Sequence, residues 1–211
     1  MRKKIDVEKW NRREHFAFFS GMDDPFYGLV TDVDCTRALK FAKENSISFF
    51  ALYLHKSLQA INRIYNFKLR VVDGEVYQYE VIHASATLGR EDGTFGFSFI
   101  SATDNFDQFQ RALKSEIEEV ARSQGLRQNE HARRLDVIHY STIPWNKFTG
   151  LTHAKSFNTG DSIPKITFGR YFQDGDKMRL PLSIDVHHGL VDAIHIGQFL
   201  NAFQEELDKH K

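Results

Sequence analysis

The chain has 211 residues, 41% of them hydrophobic, which is enough to bury a sizeable core and predicts one domain spanning 1–211. Lys+Arg and Asp+Glu balance at 28 each, so no basic excess points to nucleic acid or to a membrane surface. No apolar run follows the basic start Met1–Lys4, which argues against a signal peptide or membrane span, and the single Cys35 fits a reducing cytoplasm without disulfides.

In chain order, Trp10–Phe19 is a mixed charged and aromatic stretch, and a short strand is predicted near Leu29–Val33. A helix follows over Thr36–Lys43, closed by Asn45-Ser46. Ser48 caps a second helix that carries Phe49, Leu52, Leu54, Leu58 and Ile61 at helical spacing. Two hairpins come next. Lys68–Val72 and Val76–Tyr79 flank Asp73-Gly74, and Ile82–Leu88 and Thr94–Ser101 flank Asp92-Gly93. Phe95, Phe97 and Phe99 alternate along the last of these strands and make one aromatic face. An amphipathic helix over Phe106–Ser123 is stopped by Gly125. Strands return over Val137–Ile143, Lys165–Tyr171 and Met178–His187, the last pair joined by Asp174-Gly175. A helix over Val191–Asp208 closes the chain, with Ile194, Phe199, Leu200, Phe203 and Leu207 on its buried side. Tight hairpins among interleaved helices predict an α/β fold, a two-layer sandwich of one mixed sheet covered by helices. Nineteen phenylalanines predict an aromatic core in preference to a flat aromatic pocket.

The last strand carries the chemistry. Leu180, Leu182, Ile184, Val186 and His188 share one face, and Pro181, Ser183, Asp185 and His187 the other. A histidine at the mouth of an apolar face is desolvated, which favours the neutral imidazole that a general base needs. From periodicity alone, a hydrogen-bonded core histidine is the commoner occupant of such a position. Asp192, four residues on, sits where a helix begins and can orient His188 directly or hold the turn through an arginine. Metal binding fits poorly, because adjacent strand residues point to opposite faces and cannot reach one ion.

The run His187-His188-Gly189-Leu190-Val191-Asp192-Ala193 resembles the His-His-x-x-x-Asp-Gly signature of coenzyme A-dependent acyltransferases. Three further stretches narrow the likeness to the chloramphenicol acetyltransferase family. Trp10-Asn11-Arg12-Arg13-Glu14-His15-Phe16 resembles its N-terminal motif, and Ser141-Thr142-Ile143-Pro144-Trp145 its serine-x-x-Pro-Trp strand. Tyr171–Lys177 through Leu180–Ser183 is similar to the approach to its catalytic histidine. The resemblance implies acetyl transfer from acetyl-coenzyme A, a co-substrate and no tightly bound cofactor, to a small hydroxylated acceptor, chloramphenicol by name. It implies His188 as base, Ser141 as oxyanion donor, and an Arg12–Asp192 pair fixing the turn. Thr167 corresponds to a threonine acting through water near the same intermediate, and Tyr171 to a tyrosine touching coenzyme A. It also implies a homotrimer with active sites between subunits, His188 from one chain and Ser141 with most of the acceptor pocket from its neighbour. The aromatic stripe Phe95-Phe97-Phe99 then has two equal readings, lining of that shared pocket or an internal core.

Several positions depart from the family pattern. Ala193 replaces the signature glycine, which is harmless if the position is helical. In the acceptor pocket, Phe18 and Phe19 keep the aromatic character, but Asp23 stands for a leucine and Pro25 for a small or thiol side chain. Leu151, His153 and Lys155 occupy alternating strand positions that are Phe, Leu and Val elsewhere. A more polar hydroxyl acceptor is therefore the rival to chloramphenicol, and a catalytically silent trimeric binding protein is the rival of another class.

Overall fold

The strand-forming runs assemble into two sheets in the computed structural model, which describes residues 1–154 and 160–209. The smaller sheet has the order β1-β4-β3, built from β1 (Arg2–Lys4), β3 (Leu69–Val72) and β4 (Glu75–Tyr79). Asp73 and Gly74 take φ of +51° and +78° in the tight β3–β4 turn, which is why an Asp-Gly pair stands there. The N-terminal strand β1 was not expected; its alternation is too short to read in three polar residues.

The larger sheet runs β2-β10-β8-β7-β5-β6, with β9 paired to one end of β10. Its strands are β2 (Phe26–Asp34), β5 (His83–Gly89), β6 (Phe95–Phe97), β7 (Val137–Ile143), β8 (Lys165–Gly169), β9 (Phe172–Asp174) and β10 (Lys177–His187). The β5–β7 and β7–β8 pairs are parallel and the rest antiparallel, so the sheet is mixed as expected. Two differences from the sequence reading are informative. The expected strand Lys165–Tyr171 breaks at Arg170, so Gly175 turns β9, not β8, into β10. The expected strand Thr94–Ser101 shortens to Phe95–Phe97, followed by a lone Ala84–Ile100 bridge.

Helices α1 (Arg13–Ser20), α2 (Thr36–Glu44), α3 (Phe49–Arg63), α4 (Phe106–Arg122) and α5 (Ala193–Asp208) complete the fold. Ser48 Oγ accepts the Ala51 N–H at the start of α3, and Asn105 caps α4 in the same way. Helices α3 and α5 cover one face of the sheet, where Ile166, Phe168, Leu182, Ile184 and Val186 are fully buried. Phe168, Phe203, Phe199 and Phe67 meet in sequence with ring centroids 5.4–6.0 Å apart, so the abundant phenylalanine does build the core. Ile194, expected on the buried side of α5, is 67% exposed, because it lies on the side of the helix opposite Ile196, Phe199 and Phe203, which are buried. No helix among the described residues is long and apolar enough to cross a membrane.

Arg70 ties the two sheets together. It is fully buried, and its guanidinium donates to the carbonyls of Phe67 (3.0 Å), Leu69 (2.6 Å), Leu135 (2.7 Å) and Val137 (2.6 Å). Burial pushes its pKa down to about 10, so the guanidinium stays charged at neutral pH. Replacing it with an apolar chain leaves four carbonyls without their donor. Arg70→Met is expected to destabilise the fold by about 3–5 kcal/mol, read from the urea midpoint. A shift equivalent to less than about 1 kcal/mol would show that the clamp is dispensable.

Candidate active site

Strand β10 ends at His187, and both of its faces are covered at that point: Asp185 and His187 are each 4% exposed. The polar face is therefore buried, not solvated. The turn that follows is held by His187. Its backbone carbonyl accepts the N–H groups of Leu190 (3.0 Å) and Val191 (2.9 Å), and its ring Nδ1 accepts the Gly189 N–H at 3.1 Å. A Cβ at Gly189 would lie 3.0 Å from the His187 ring and 3.2 Å from Phe16 Cα, so a larger residue would have to push these neighbours aside by a few tenths of an ångström. Burial drives the His187 pKa down to about 4, which keeps Nδ1 free to accept.

His188 projects from this turn as a half-buried ring between two aromatic rings. Phe19 stacks on it at 3.8 Å between centroids and Tyr27 tilts against it at 4.3 Å. Its backbone N–H donates to the Pro25 carbonyl at 2.8 Å, and its carbonyl accepts from Arg12 Nη2 at 3.0 Å. Nδ1 is buried without a hydrogen-bond partner among the described residues. Arg12 also reaches Asp192, with Nη1 3.5 Å from Oδ2. Burial works to raise the Asp192 pKa, but the Ala193 N–H, Arg12 and His188 together hold it below the ordinary carboxylate value. Asp192 is the N-cap of α5, and the cap is closed by His195, whose Nδ1 accepts the Asp192 N–H at 2.9 Å. Tyr27 and His195 escaped the sequence reading. An aromatic two residues before the predicted strand at Leu29 was the available signal for the first, and the capping-box spacing Asp192-x-x-His195 for the second.

Ser141 lies elsewhere. With Thr167 it lines a cavity of about 480 Å³ on the polar face of the sheet, together with Phe97, His139, His153 and Lys165. Thr167 is 1% exposed and its hydroxyl is buried without a hydrogen-bond partner. The ladder sets Ser141 opposite Thr167, and Thr167 opposite Ser183. His188 is five residues beyond Ser183, so it lies about 16 Å along the strands and about 10 Å across them, about 19 Å from Ser141 within one chain. No single substrate hydroxyl bridges that distance.

Comparisons with known proteins agree over the whole length. The family model for chloramphenicol acetyltransferase matches residues 2–204. The chain belongs to the chloramphenicol acetyltransferase family. It is 29% identical over 201 residues to the chloramphenicol acetyltransferase of Bacillus pumilus, covering 95% of this chain and 90% of that protein. Against the Escherichia coli chloramphenicol acetyltransferase the identity is 27% over 206 residues, covering 97% and 93%. A solved chloramphenicol acetyltransferase structure superposes with a TM-score of 0.92 at 27% identity, over 99% of this chain and all of that one. Membership makes the protein an acyltransferase, of a family that uses acetyl-coenzyme A as co-substrate.

Several positions singled out by the resemblance to the chloramphenicol acetyltransferase family sit differently from expectation. Residues 151–154 adopt no strand; His153 lines the cavity, Leu151 does not, and Lys155 lies outside the described residues. Phe95 is 44% exposed at the sheet edge, so Phe97 is the aromatic residue of that stripe that reaches the cavity. Phe99 stacks instead on His131 at 4.7 Å. Phe18 is exposed and meets Phe19 edge-on. Asp23 is exposed in the turn before β2, beside the half-buried Pro25. Tyr171, 39% exposed at the β8–β9 bend, packs edge-on against Phe49 at 5.7 Å. Ala193 is the first helical residue of α5 and has no positive φ, so the missing glycine costs nothing there.

A stability consequence follows from His187 and from His139, whose pKa burial and Lys165 also push down to about 4. Both are neutral in the folded protein, while the unfolded chain takes up protons near pH 6.5. Their contribution is complete above that value and is lost as pH falls toward 4. The slope is about 1.4 kcal/mol per pH unit for each histidine. Urea midpoints at pH 7, 6 and 5 should fall accordingly, and His139→Phe should flatten the decline. Equal midpoints at all three pH values would contradict the buried neutral state.

Proposed function

We propose that the protein transfers acetyl from acetyl-coenzyme A to the hydroxyl of a small acceptor, at active sites shared between subunits of a homotrimer. His188 takes the hydroxyl proton as the acceptor oxygen attacks the thioester carbonyl. Ser141 donates to the oxyanion that forms, a contribution of about 3 kcal/mol for a well-placed donor. As the C–S bond breaks, His188 returns the proton to the thiolate, leaving an acetyl ester and free coenzyme A. Arg12 and Asp192 position His188 through its carbonyl and the α5 cap. The observation that carries this reading is the His188 ring, wedged between Phe19 and Tyr27 with a nitrogen unpartnered among the described residues, in a chain that matches the family over residues 2–204.

The separation of about 19 Å between His188 and Ser141 supports a shared site, since the two serve one reaction only across a subunit boundary. Thr167 and His153 join the Ser141 half; Phe18, Phe19, Asp23 and Pro25 join the His188 half. Chloramphenicol, named for the relatives, is the first acceptor to test. A more polar hydroxyl acceptor is the second reading, favoured by the His139, His153 and Lys165 lining of the cavity.

His188→Ala should lower kcat by about 10²–10⁴-fold in an assay of acceptor-dependent thiol release. An unchanged kcat would remove His188 as the base. Subunit sharing has its own test. His188→Ala and Ser141→Ala chains, unfolded together and reassembled one to one, should regain about a quarter of wild-type activity, since one interface in four pairs two intact halves. Recovery no greater than the two variants assayed separately would place the site within one chain.

A further inference from the structure

The cavity beside Ser141 is built in two rows on one sheet face. Ser141 and Thr167 are cross-strand partners, and so are His139 and Lys165, with Ser85 opposite His139 on the next strand. The rows are two residues apart along the strands, about 7 Å. One row offers hydroxyls, including the buried and unpartnered Thr167 Oγ1. The other offers Lys165 and a histidine ring that is neutral at pH 7. At the rim stands Arg133, whose side chain has no hydrogen bond or ion pair among the described residues. No carboxylate lines the cavity among those residues. Asp161, which accepts from Lys165 Nζ at 2.7 Å, holds the ammonium from outside the lining, and the Ile163 carbonyl takes a second contact at 3.4 Å. The Phe26 ring lies 4.4 Å from the same Nζ, and of the three ammonium donors one has no oxygen partner among the described residues.

From this convergence we infer that the acceptor carries a carboxylate about 7 Å from the hydroxyl that is acetylated, held by Lys165 and Arg133 while the hydroxyl lies over the Ser141–Thr167 row. A lone arginine at a rim is an ordinary surface residue. Here it shares a concave site with a second, nearly buried cation whose one acidic partner, Asp161, stands outside the lining, and with an orphaned hydroxyl. A flat neutral acceptor would desolvate Lys165 without replacing its water. The inference rests on the transfer chemistry proposed above. The acetyl C–S bond breaks, an ester C–O bond forms, the hydroxyl proton passes through His188 to the thiolate, and the carboxylate is unchanged. Asp23 and Asp24 stand on the His188 half and bring the opposite charge to a shared site, so the charge preference of the acceptor decides which half governs recognition.

The test compares three acceptors of one shape: 4-(hydroxymethyl)benzoate, its neutral carboxamide, and its trimethylammonium counterpart. Thiol release from acetyl-coenzyme A is followed, with chloramphenicol alongside. A charge-assisted contact predicts a kcat/KM at least about tenfold higher for the benzoate than for the carboxamide. That ratio should collapse toward one in Lys165→Met and in Arg133→Gln. The second variant is exposed and perturbs folding little, and reading a ratio separates lost preference from lost turnover. Equal use of benzoate and carboxamide, preference for the cationic probe, or a ratio untouched by both substitutions overturns the carboxylate site. If chloramphenicol is acetylated under those outcomes, the transfer reading stands and only this inference falls. Thiol release with none of the acceptors overturns both.

Discussion

Successive side chains of β10 leave opposite faces of the sheet, and that alternation sorts everything functional in this protein. Leu182, Ile184 and Val186 go under α3 and α5 into the aromatic core, while Ser183, Asp185 and His187 go to the other face. Neighbouring strands repeat the division, so Ile166 and Phe168 join the core and Lys165 and Thr167 join the polar face. One side of the sheet supplies the stability, and the other is left to carry hydroxyls, histidines and a cation around a cavity. The same register that builds this face keeps Ser141 and His188 apart within the chain.

The turn after β10 turns a secondary-structure ending into a chemical tool. The two histidines have unlike environments because His187 is the strand's last residue and His188 the first beyond it. His187 is enclosed, neutral and spent on a backbone N–H, which fixes the path of Gly189. His188 is left with an aromatic sandwich and a free nitrogen, while its backbone is pinned at both ends by Pro25 and Arg12. Arg12 in turn leans on the N-cap of α5. The position of the ring thus depends on the N-terminal stretch from Arg12 to Tyr27, distant in sequence from His188, and on the cap of α5 just beyond it.

Much of the fold was legible. Asp-Gly turns, the Ser48 cap and the helical spacing of α3 and α4 are local signals, and they placed their elements within a few residues. The failures are also local in origin. Strand β1 is too short to show alternation, and β8 breaks at Arg170, whose N–H goes to the Asn146 carbonyl, a contact invisible in sequence. Ile194 reads as core by its apolar side chain, yet it lies opposite the buried face of α5 that Ile196, Phe199 and Phe203 form, and stands in solvent. At the site, motif residues were readable, but Tyr27 belongs to no motif and emerges only as a neighbour, and His195 is marked only by its capping-box spacing from Asp192. Leu151 and Phe95 were expected at the pocket from the family resemblance, but Leu151 lies in no strand and Phe95 stands exposed in the edge strand β6.

By itself the sequence determined the alternation in the last strand, the turn that ends it, and the pairing of histidine, aspartate and arginine, because each depends on residues near in the chain or on a recognisable run. Tertiary structure alone decided which face is buried, how far Ser141 stands from His188, and which side chains share the cavity. Those depend on strand order and register, which are set by packing between segments that no local pattern relates.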